Sequence, residues 1–269
     1  MSNKIGFIGY GNMASAMVKG LASLRNFKVT NILVTDVNDN KKKEAQKEMG
    51  VLINYSGKEI AEFANVVVIA VKPQSYKEVI DDIKDHLKFN TIVVSIAAGL
   101  TISTLESYFD KPLKLVRAMP NTPAMVSAGM TAIMPNSHIT ETDLKKVSKI
   151  FNAFGKSEVI DESLIEGAIV TSGSAPAYIY MIIEAMICGG MNEGMSREVA
   201  LTFVTQAVMG ATKMVMETNQ HPKDLIDAVC SPNGTTIEAV NYLKAANFGE
   251  ILQSAMHACA EKSRKMSNI

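Results

Sequence analysis

An excess of charge of either sign is the first thing this chain lacks: 27 basic side chains balance 27 acidic ones over 269 residues. Such a chain creates no long-range field to draw in nucleic acid or an anionic bilayer, so neither is expected as a partner. Cysteine is scarce as well. The three present, Cys188, Cys230 and Cys259, are an odd number without metal-ligand spacing. That argues against a disulfide framework and fits a reducing cytoplasm, and no metal is expected. The four histidines, His86, His138, His221 and His257, are scattered, and none stands in a catalytic motif. Residues 1–11 lack the basic start and apolar centre of a secretion signal, because Gly6, Gly9 and Gly11 interrupt them. The most apolar helical pattern, near residues 177–187, carries Glu184 and reads as too short to cross a bilayer. Repeats, low-complexity tracts and long linkers are absent too. The composition predicts a soluble cytoplasmic protein, long enough for one large or two ordinary domains.

What is present is a change of pattern along the chain. Up to about residue 160, apolar β-rich runs at 4–8, 32–35, 66–71, 92–96, 115–117, 131–134 and 158–160 alternate with helical patterns. Those helices are expected at 41–49, 76–86, 103–108 and 141–154, the last with Thr140 and Asp143 as its cap and Gly155 as its stop. Val66 to Val71 is apolar on both faces, as a central parallel strand covered by helices requires. The alternation predicts an α/β, Rossmann-type doubly wound sheet over 1–161. Over 162–269 strand signals vanish and helices are expected at 163–171, 177–188, 197–218, 222–229, 236–246 and 249–266. The stretch at 177–187 is hydrophobic almost all round and needs cover on every side, which predicts an all-helical domain completed by a partner subunit. Met181, Met186, Met191, Met209, Met214 and Met216 fall at apolar helical positions and read as core or subunit packing.

Two motifs carry chemistry. At the amino end, Gly9-x-Gly11-x-x-Ala14 directly follows a strand and opens a helix. Gly9 permits the tight turn, Gly11 lets backbone approach a pyrophosphate, and Ala14 allows close packing of helix on strand. At the far end, Ser231-Pro-Asn-Gly-Thr-Thr236 places small hydroxyls and backbone N–H groups at a helix start, which suits a carboxylate or phosphate. Between them, Lys72-Pro73 and Ala97-Ala98-Gly99 end strands at the edge where ligands of open α/β sheets lie. Lys72 could reach a ribose or phosphate, and the small residues at 97–99 leave room for a dinucleotide. Met119, Pro120 and Asn121 are expected either to border a nicotinamide or to form a rigid connector, and Arg117 to pair with a carboxylate elsewhere. Asp36 ends the second strand, where an acid commonly binds the adenine ribose of NAD. Thr35, Asn38, Asn40 and Lys41 to Lys43 lie close and could favour NADPH, so both reductants stay open. Cys230 adjoins the last turn and reads as a small filler.

Read together, Gly6-Phe-Ile-Gly-Tyr-Gly-Asn-Met-Ala14, Val71-Lys-Pro-Gln74, Arg117-Ala-Met-Pro-Asn-Thr-Pro-Ala124, Ser172-Gly-Ser-Ala-Pro-Ala-Tyr178 and Ser231-Pro-Asn-Gly-Thr-Thr236 closely resemble pyrroline-5-carboxylate reductases over essentially the whole chain. The resemblance implies reduction of (S)-1-pyrroline-5-carboxylate to L-proline by NADPH or NADH. It also implies a helical dimerisation domain, a homodimer, and a larger assembly such as a decamer of dimers. Mapped onto this chain, the cofactor set is Gly9, Gly11, Asn12, Met13, Thr35, Asp36, Ala70, Lys72, Pro73, Ala97, Met119, Pro120 and Asn121. The substrate set is Gly234, Thr235 and Thr236, with Ser174, Ala175 and Pro176 opposite, and Glu162 near the pocket by position. Thr236 or Thr235 would assist at the imine nitrogen. The chain departs from the family at Asn233, where a second glycine is usual, and at Ala175, where glycine or serine is common. Asparagine tolerates a left-handed backbone, so the turn can survive.

Two other readings compete. A β-hydroxyacid dehydrogenase of the 6-phosphogluconate type shares the opening fingerprint but needs a catalytic lysine on the first long helix of its second domain, and residues 172–186 contain none. A non-catalytic dinucleotide sensor would have lost the substrate-side groups, whereas the 231–236 turn is nearly complete.

Overall fold

The computed structural model describes residues 4–267. The short apolar runs form β1 (Ile5–Ile8), β2 (Ile32–Thr35), β3 (Leu52–Ile53), β4 (Val66–Ile69), β5 (Ile92–Ser95), β6 (Lys114–Met119), β7 (Gly129–Pro135) and β8 (Gly155–Val159). They lie side by side in one sheet in the order β3-β2-β1-β4-β5-β6-β7-β8. All pair parallel except β6 with β7, where the chain turns back. The order reverses direction beside β1, between β2 and β4, which makes that edge the switch point of a doubly wound sheet.

The helices of this part are α1 (Asn12–Ala22), α2 (Asp39–Met49), α3 (Gly57–Phe63), α4 (Tyr76–Ile83), α5 (Ile102–Glu106), α6 (Glu141–Phe151) and α7 (Ile165–Ala168). Strand periodicity decides which face each covers. Val66 and Val68 join an apolar cluster with Met17 and Leu21 of α1 and Phe151 of α6. Val67 and Ile69 join a second cluster with Ile60 of α3, Ile80 of α4 and Leu105 of α5. The sheet is thus covered on both sides, and each buried aliphatic side chain contributes about 1.5–3 kcal/mol.

Local chemistry sets the element ends. Thr140 caps α6 by accepting from the Asp143 N–H at 3.2 Å while Asp143 accepts from the Thr140 N–H at 3.3 Å, a reciprocal capping box. The same carboxylate, almost fully buried, lies 2.8 Å from Lys114 Nζ and 3.3 Å from Lys146 Nζ. Burial alone would push the Asp143 carboxyl up, but the hydrogen bonds from Lys114, Thr140 and Lys146 outweigh it and hold it well below the usual carboxylate range. Gly155 differs from expectation. Helix α6 ends at Phe151 with Asn152 as its cap, and Gly155 instead opens β8, where a side chain would collide with the Gly129 carbonyl. Gly20 serves a similar purpose on α1: a Cβ there would lie 2.7 Å from Phe154 Cβ and 2.8 Å from the Ala153 carbonyl.

By contacts the chain separates into one unit through Ser174, rejoined from Ala260 onward, and another from Ala175 to Cys259. The second unit holds α8 (Ala175–Asn192), α9 (Arg197–Thr218), α10 (Pro222–Val229), α11 (Thr235–Ala245) and most of α12 (Phe248–Ser267). Where α8 meets α9, Ile187, Ala200 and Val204 are buried. Beyond that seam apolar side chains stand open, including Tyr180 at 60 %, Met181 at 73 % and Phe203 at 63 % exposure. Helical conformation also runs further than the sequence suggests, over Glu162–Asn192 with a bend at Ser174. That segment and Arg197–Thr218 are long and apolar enough to cross a bilayer, so the expectation of a helix too short to span does not hold. The segment's start nevertheless belongs to the α/β unit, where Ile165 and Ile169 are buried, and Glu184 in α8 forms an ion pair with Arg197 at 2.8 Å.

Two stability measurements check this packing. Gly20→Ala is expected to destabilise the protein by about 1–3 kcal/mol in urea unfolding, since both facing atoms belong to a fixed turn. For Asp143 the folded carboxyl is depressed, so its stabilisation is present above the unfolded value of about 4 and fades as pH falls below it. Asp143→Asn is therefore expected to cost about 3 kcal/mol at pH 7 and to flatten the loss of stability between about pH 5 and 2.

Candidate active site

The glycine turn shapes one half of the site. Gly9 adopts φ +95°, donates its N–H to the Thr35 carbonyl at 2.8 Å, and leaves room for no side chain, because a Cβ would lie 2.7 Å from the Ala70 carbonyl. The ends of β1, β2 and β4 therefore meet at this residue. Gly11 follows as the cap of α1 with no side chain bonded there, and a Cβ added to it would meet nothing within 4 Å. The first-turn N–H groups of α1 open on clear space, the arrangement that receives a pyrophosphate. Asn12 is exposed and Met13 half-buried in that first turn, and Ala14 is completely buried against the sheet.

A cavity of about 1080 Å³ lies along this edge, lined by Gly9, Gly11, Thr35, Asp36, Ala70 and Lys72 among others. Six residues of the expected cofactor set thus share one cleft. Asp36 is held within it: Oδ2 accepts from the Tyr10 N–H at 2.6 Å and Oδ1 from the Asn38 N–H at 2.8 Å. Lys41, Lys42, Asp39 and Tyr55 also line the cleft. Lys42 is nearly buried, 2.8 Å from Asp39 Oδ1 and 3.9 Å over the Tyr55 ring. Of the lysine run expected to favour NADPH, Lys42 is thus already matched, and Tyr55, which follows a strand of only two residues, carries no local signal in the sequence.

The ends of β4 and β5 are joined by a buried chain of hydrogen bonds through Tyr76. The Ala97 N–H donates to Ser95 Oγ at 3.3 Å, Ser95 Oγ donates to Tyr76 Oη at 3.1 Å, and Tyr76 Oη donates to the Ile69 carbonyl at 2.5 Å. Burial pushes the Tyr76 hydroxyl up to about 12, against the hydrogen bonds from Ser95 and the Ile96 and Ala97 backbone that pull it down. It is a brace, neutral at every ordinary pH. Pro73 opens a single 3-10 turn after Lys72 and leads into α4, and neither Pro73 nor Ala97 lines the cavity.

Met119, Pro120 and Asn121 stand elsewhere. Asn121 is buried, and its amide donates to the Ser172 carbonyl at 3.1 Å and to Ser172 Oγ at 3.3 Å while its oxygen accepts from the Met130 N–H at 2.8 Å. Residues Ile169–Gly173 form a π-helical turn, closed by the Ser174 N–H on the Ile169 carbonyl at 2.7 Å. Pro176 has no N–H to give the Ser172 carbonyl four residues earlier, and Asn121 satisfies that carbonyl instead. Ala175 and Pro176 then begin α8. Met119 approaches the same turn, its Cε 3.4 Å from where a Gly173 Cβ would sit. Glu162, at the start of this segment, is committed: Oε1 accepts from Arg117 Nη1 and from the Ile102 N–H, each at 2.8 Å. The carboxylate expected opposite Arg117 is thus Glu162.

The other half of the chemistry sits in the helical unit. Asn233 adopts φ 57°, so asparagine does supply the left-handed turn. Gly234 caps α11 without a side-chain bond, and its N–H donates to the Ser231 carbonyl at 3.1 Å. A side chain at 234 would collide with Ser231 Oγ. Thr235 and Thr236 open the helix, the first exposed and the second half-buried. As at α1, a glycine cap leaves the leading N–H groups without a side-chain acceptor.

Comparison with known proteins matches two separate stretches of the chain to family models. Residues 4–99 match the family described as NADP oxidoreductase coenzyme F420-dependent, and residues 162–266 match pyrroline-5-carboxylate reductase dimerisation. The chain is 43 % identical to a pyrroline-5-carboxylate reductase of Escherichia coli, covering 99 % of each. Its fold matches the solved pyrroline-5-carboxylate reductase of Coxiella burnetii with a TM-score of 0.95 at 34 % identity, again covering 99 % of each chain. The Plasmodium falciparum pyrroline carboxylate reductase, solved with NADP bound, matches at 0.88 and 33 % identity, also over 99 % of each. A glycine-turn cleft, a helical unit with open apolar faces and full-length identity of this order lead to one conclusion: the chain belongs to the pyrroline-5-carboxylate reductase family.

Proposed function

We infer that this chain reduces (S)-1-pyrroline-5-carboxylate to L-proline with NADPH or NADH, the last step of proline biosynthesis. The observation that carries the reading is the uncapped start of α11 at Gly234, Thr235 and Thr236, in a chain that also has a dinucleotide cleft. The cleft fits the cofactor, because Gly9 and Gly11 withhold the side chains that would fill the pyrophosphate's place. Gly9, Gly11, Asn12 and Met13 at the α1 start would hold the pyrophosphate, Thr35 and Asp36 the adenine ribose, and Lys72 a ribose or phosphate. Reduced nicotinamide supplies the hydride when bound. Ala97, through Ser95 and Tyr76, steadies the end of β4, and Asn121 steadies the 172–174 bend.

The substrate's carboxylate goes to the N–H groups leading α11. Hydrogen bonds to a charged group contribute about 1.5–3 kcal/mol each and the helix end up to ~2 kcal/mol, enough to make the acid group close to obligatory. Thr236, next to that end, donates its hydroxyl hydrogen bond to the imine nitrogen, with Thr235 oriented about a quarter-turn away. An imine needs a hydrogen-bond or proton donor at nitrogen and no strong base, in keeping with the lack of a histidine at this turn. Ser174, Ala175 and Pro176, from the same or a neighbouring subunit, wall the substrate, and Glu162 anchors the start of that bend through Arg117 and α5. A second copy of the chain covers α8 and α9, giving a homodimer, with a decamer of dimers as the larger assembly. Thiols rather than disulfides at Cys188, Cys230 and Cys259 suit a cytoplasmic enzyme.

Purified protein given chemically prepared pyrroline-5-carboxylate and either reductant is expected to consume nicotinamide absorbance; no loss above background in a folded, dinucleotide-binding protein overturns the reading. Thr236→Ala is expected to lower kcat more than tenfold while Thr236→Ser keeps most of it. Unchanged turnover in a folded Thr236→Ala protein would transfer the role to Thr235, where Thr235→Ala then shows the loss.

A further inference from the structure

Dinucleotides differ at one oxygen. NADPH carries a phosphate on the adenine-ribose 2′ position where NADH carries a hydroxyl, and a residue at the end of the second strand reads that difference. Here the residue is Asp36. Resting on the dinucleotide reading above, we propose that this chain selects NADH over NADPH through Asp36, whose carboxylate is tied to the glycine turn and cannot yield to a 2′-phosphate.

The tie is specific. Asp36 Oδ2 accepts from the Tyr10 N–H at 2.6 Å and Oδ1 from the Asn38 N–H at 2.8 Å. Tyr10 lies inside the fingerprint itself, between Gly9 and Gly11. Turning the carboxylate away would leave both N–H groups without their acceptor and loosen the loop that receives the pyrophosphate. A carboxylate offers about four acceptor positions, so two remain for ribose hydroxyls. A phosphate brings no hydrogen to donate there and adds between one and two negative charges.

The neighbouring cations do not reverse this. Lys42 is 3 % exposed, and its ammonium lies 2.8 Å from Asp39 and 3.9 Å over the Tyr55 ring. Its charge is already matched, and drawing it towards a phosphate would strip Asp39. With Lys42 matched to Asp39 and Asp82 to Lys58 at 3.7 Å, the cleft sets the carboxylates of Asp36 and Glu78 against the ammonium groups of Lys41 and Lys72, so it offers no surplus of positive charge to a 2′-phosphate.

Titration of the intact protein with each reduced dinucleotide, followed by nicotinamide fluorescence with no imine present, tests this without reference to turnover. The expected result is a Kd for NADH at least tenfold below that for NADPH. Asp36→Ser is expected to weaken NADH and bring the ratio near or below one. Asp39→Asn, which releases Lys42 while leaving the glycine turn intact, is expected to tighten NADPH at least threefold and keeps the test decisive if Asp36→Ser does not fold. Equal or tighter binding of NADPH by the unaltered protein overturns the proposal, as does an unchanged ratio in folded Asp36→Ser. The two readings fail separately: NADH-selective binding without imine reduction sinks the reductase alone, and imine reduction with indifferent binding sinks the selectivity alone.

Discussion

Three strand ends converge on Gly9, and the rest of the α/β unit is arranged around that approach. Its amide bonds the Thr35 carbonyl at the end of β2 and its α-carbon lies against the Ala70 carbonyl just past β4. Only a residue without a side chain permits both. Because the turn is that tight, α1 starts within three residues of β1 and runs back over the sheet with Ala14 and Gly20 inward. The cleft and the depth of α1 on the sheet are consequences of one short contact rather than separate features.

A second constraint governs the passage into the helical unit. Pro176 cannot donate to the Ser172 carbonyl four residues earlier, and just before it the backbone takes a π turn, a form often found at functional bends. The widened turn at Ile169–Gly173 is held from outside by Asn121, which itself is held by the Met130 amide. At the segment's other end Arg117, nearly buried, grips Glu162. Asn121 and Arg117 both come from β6 or the loop after it, so the strand that ends the parallel series also sets the bend. A buried guanidinium of this kind is tolerable only with its partner present.

Much of this was legible in the residues. Long periodic segments such as Arg197–Thr218 and Pro222–Val229 appear at the expected limits, and the capping box at Thr140 was readable from its two side chains. The misses have physical causes. Strand β3 has two residues and α3 seven, too few for either period to register. Gly155 looks like a helix stop because glycine ends helices, yet what requires it is the backbone of Gly129 across the sheet, a contact no local pattern carries. For the site, the fingerprint and the 231–236 turn revealed the two helix starts. The Tyr10 bond to Asp36, the Tyr55 ring beneath Lys42 and the Asn121 bond to Ser172 join residues 13 to 51 positions apart and could not be read from neighbours.

The open apolar surface of α8 and α9 has a consequence for how the protein endures handling. In the separate chain Met181 and Phe203 face water, within a stretch that matches the family described as pyrroline-5-carboxylate reductase dimerisation. Whatever free energy comes from covering it enters the folded state only when chains associate, so it scales with the logarithm of protein concentration. Dilution then acts on this molecule much as added denaturant acts on others. Melting temperatures taken at different concentrations would describe different equilibria.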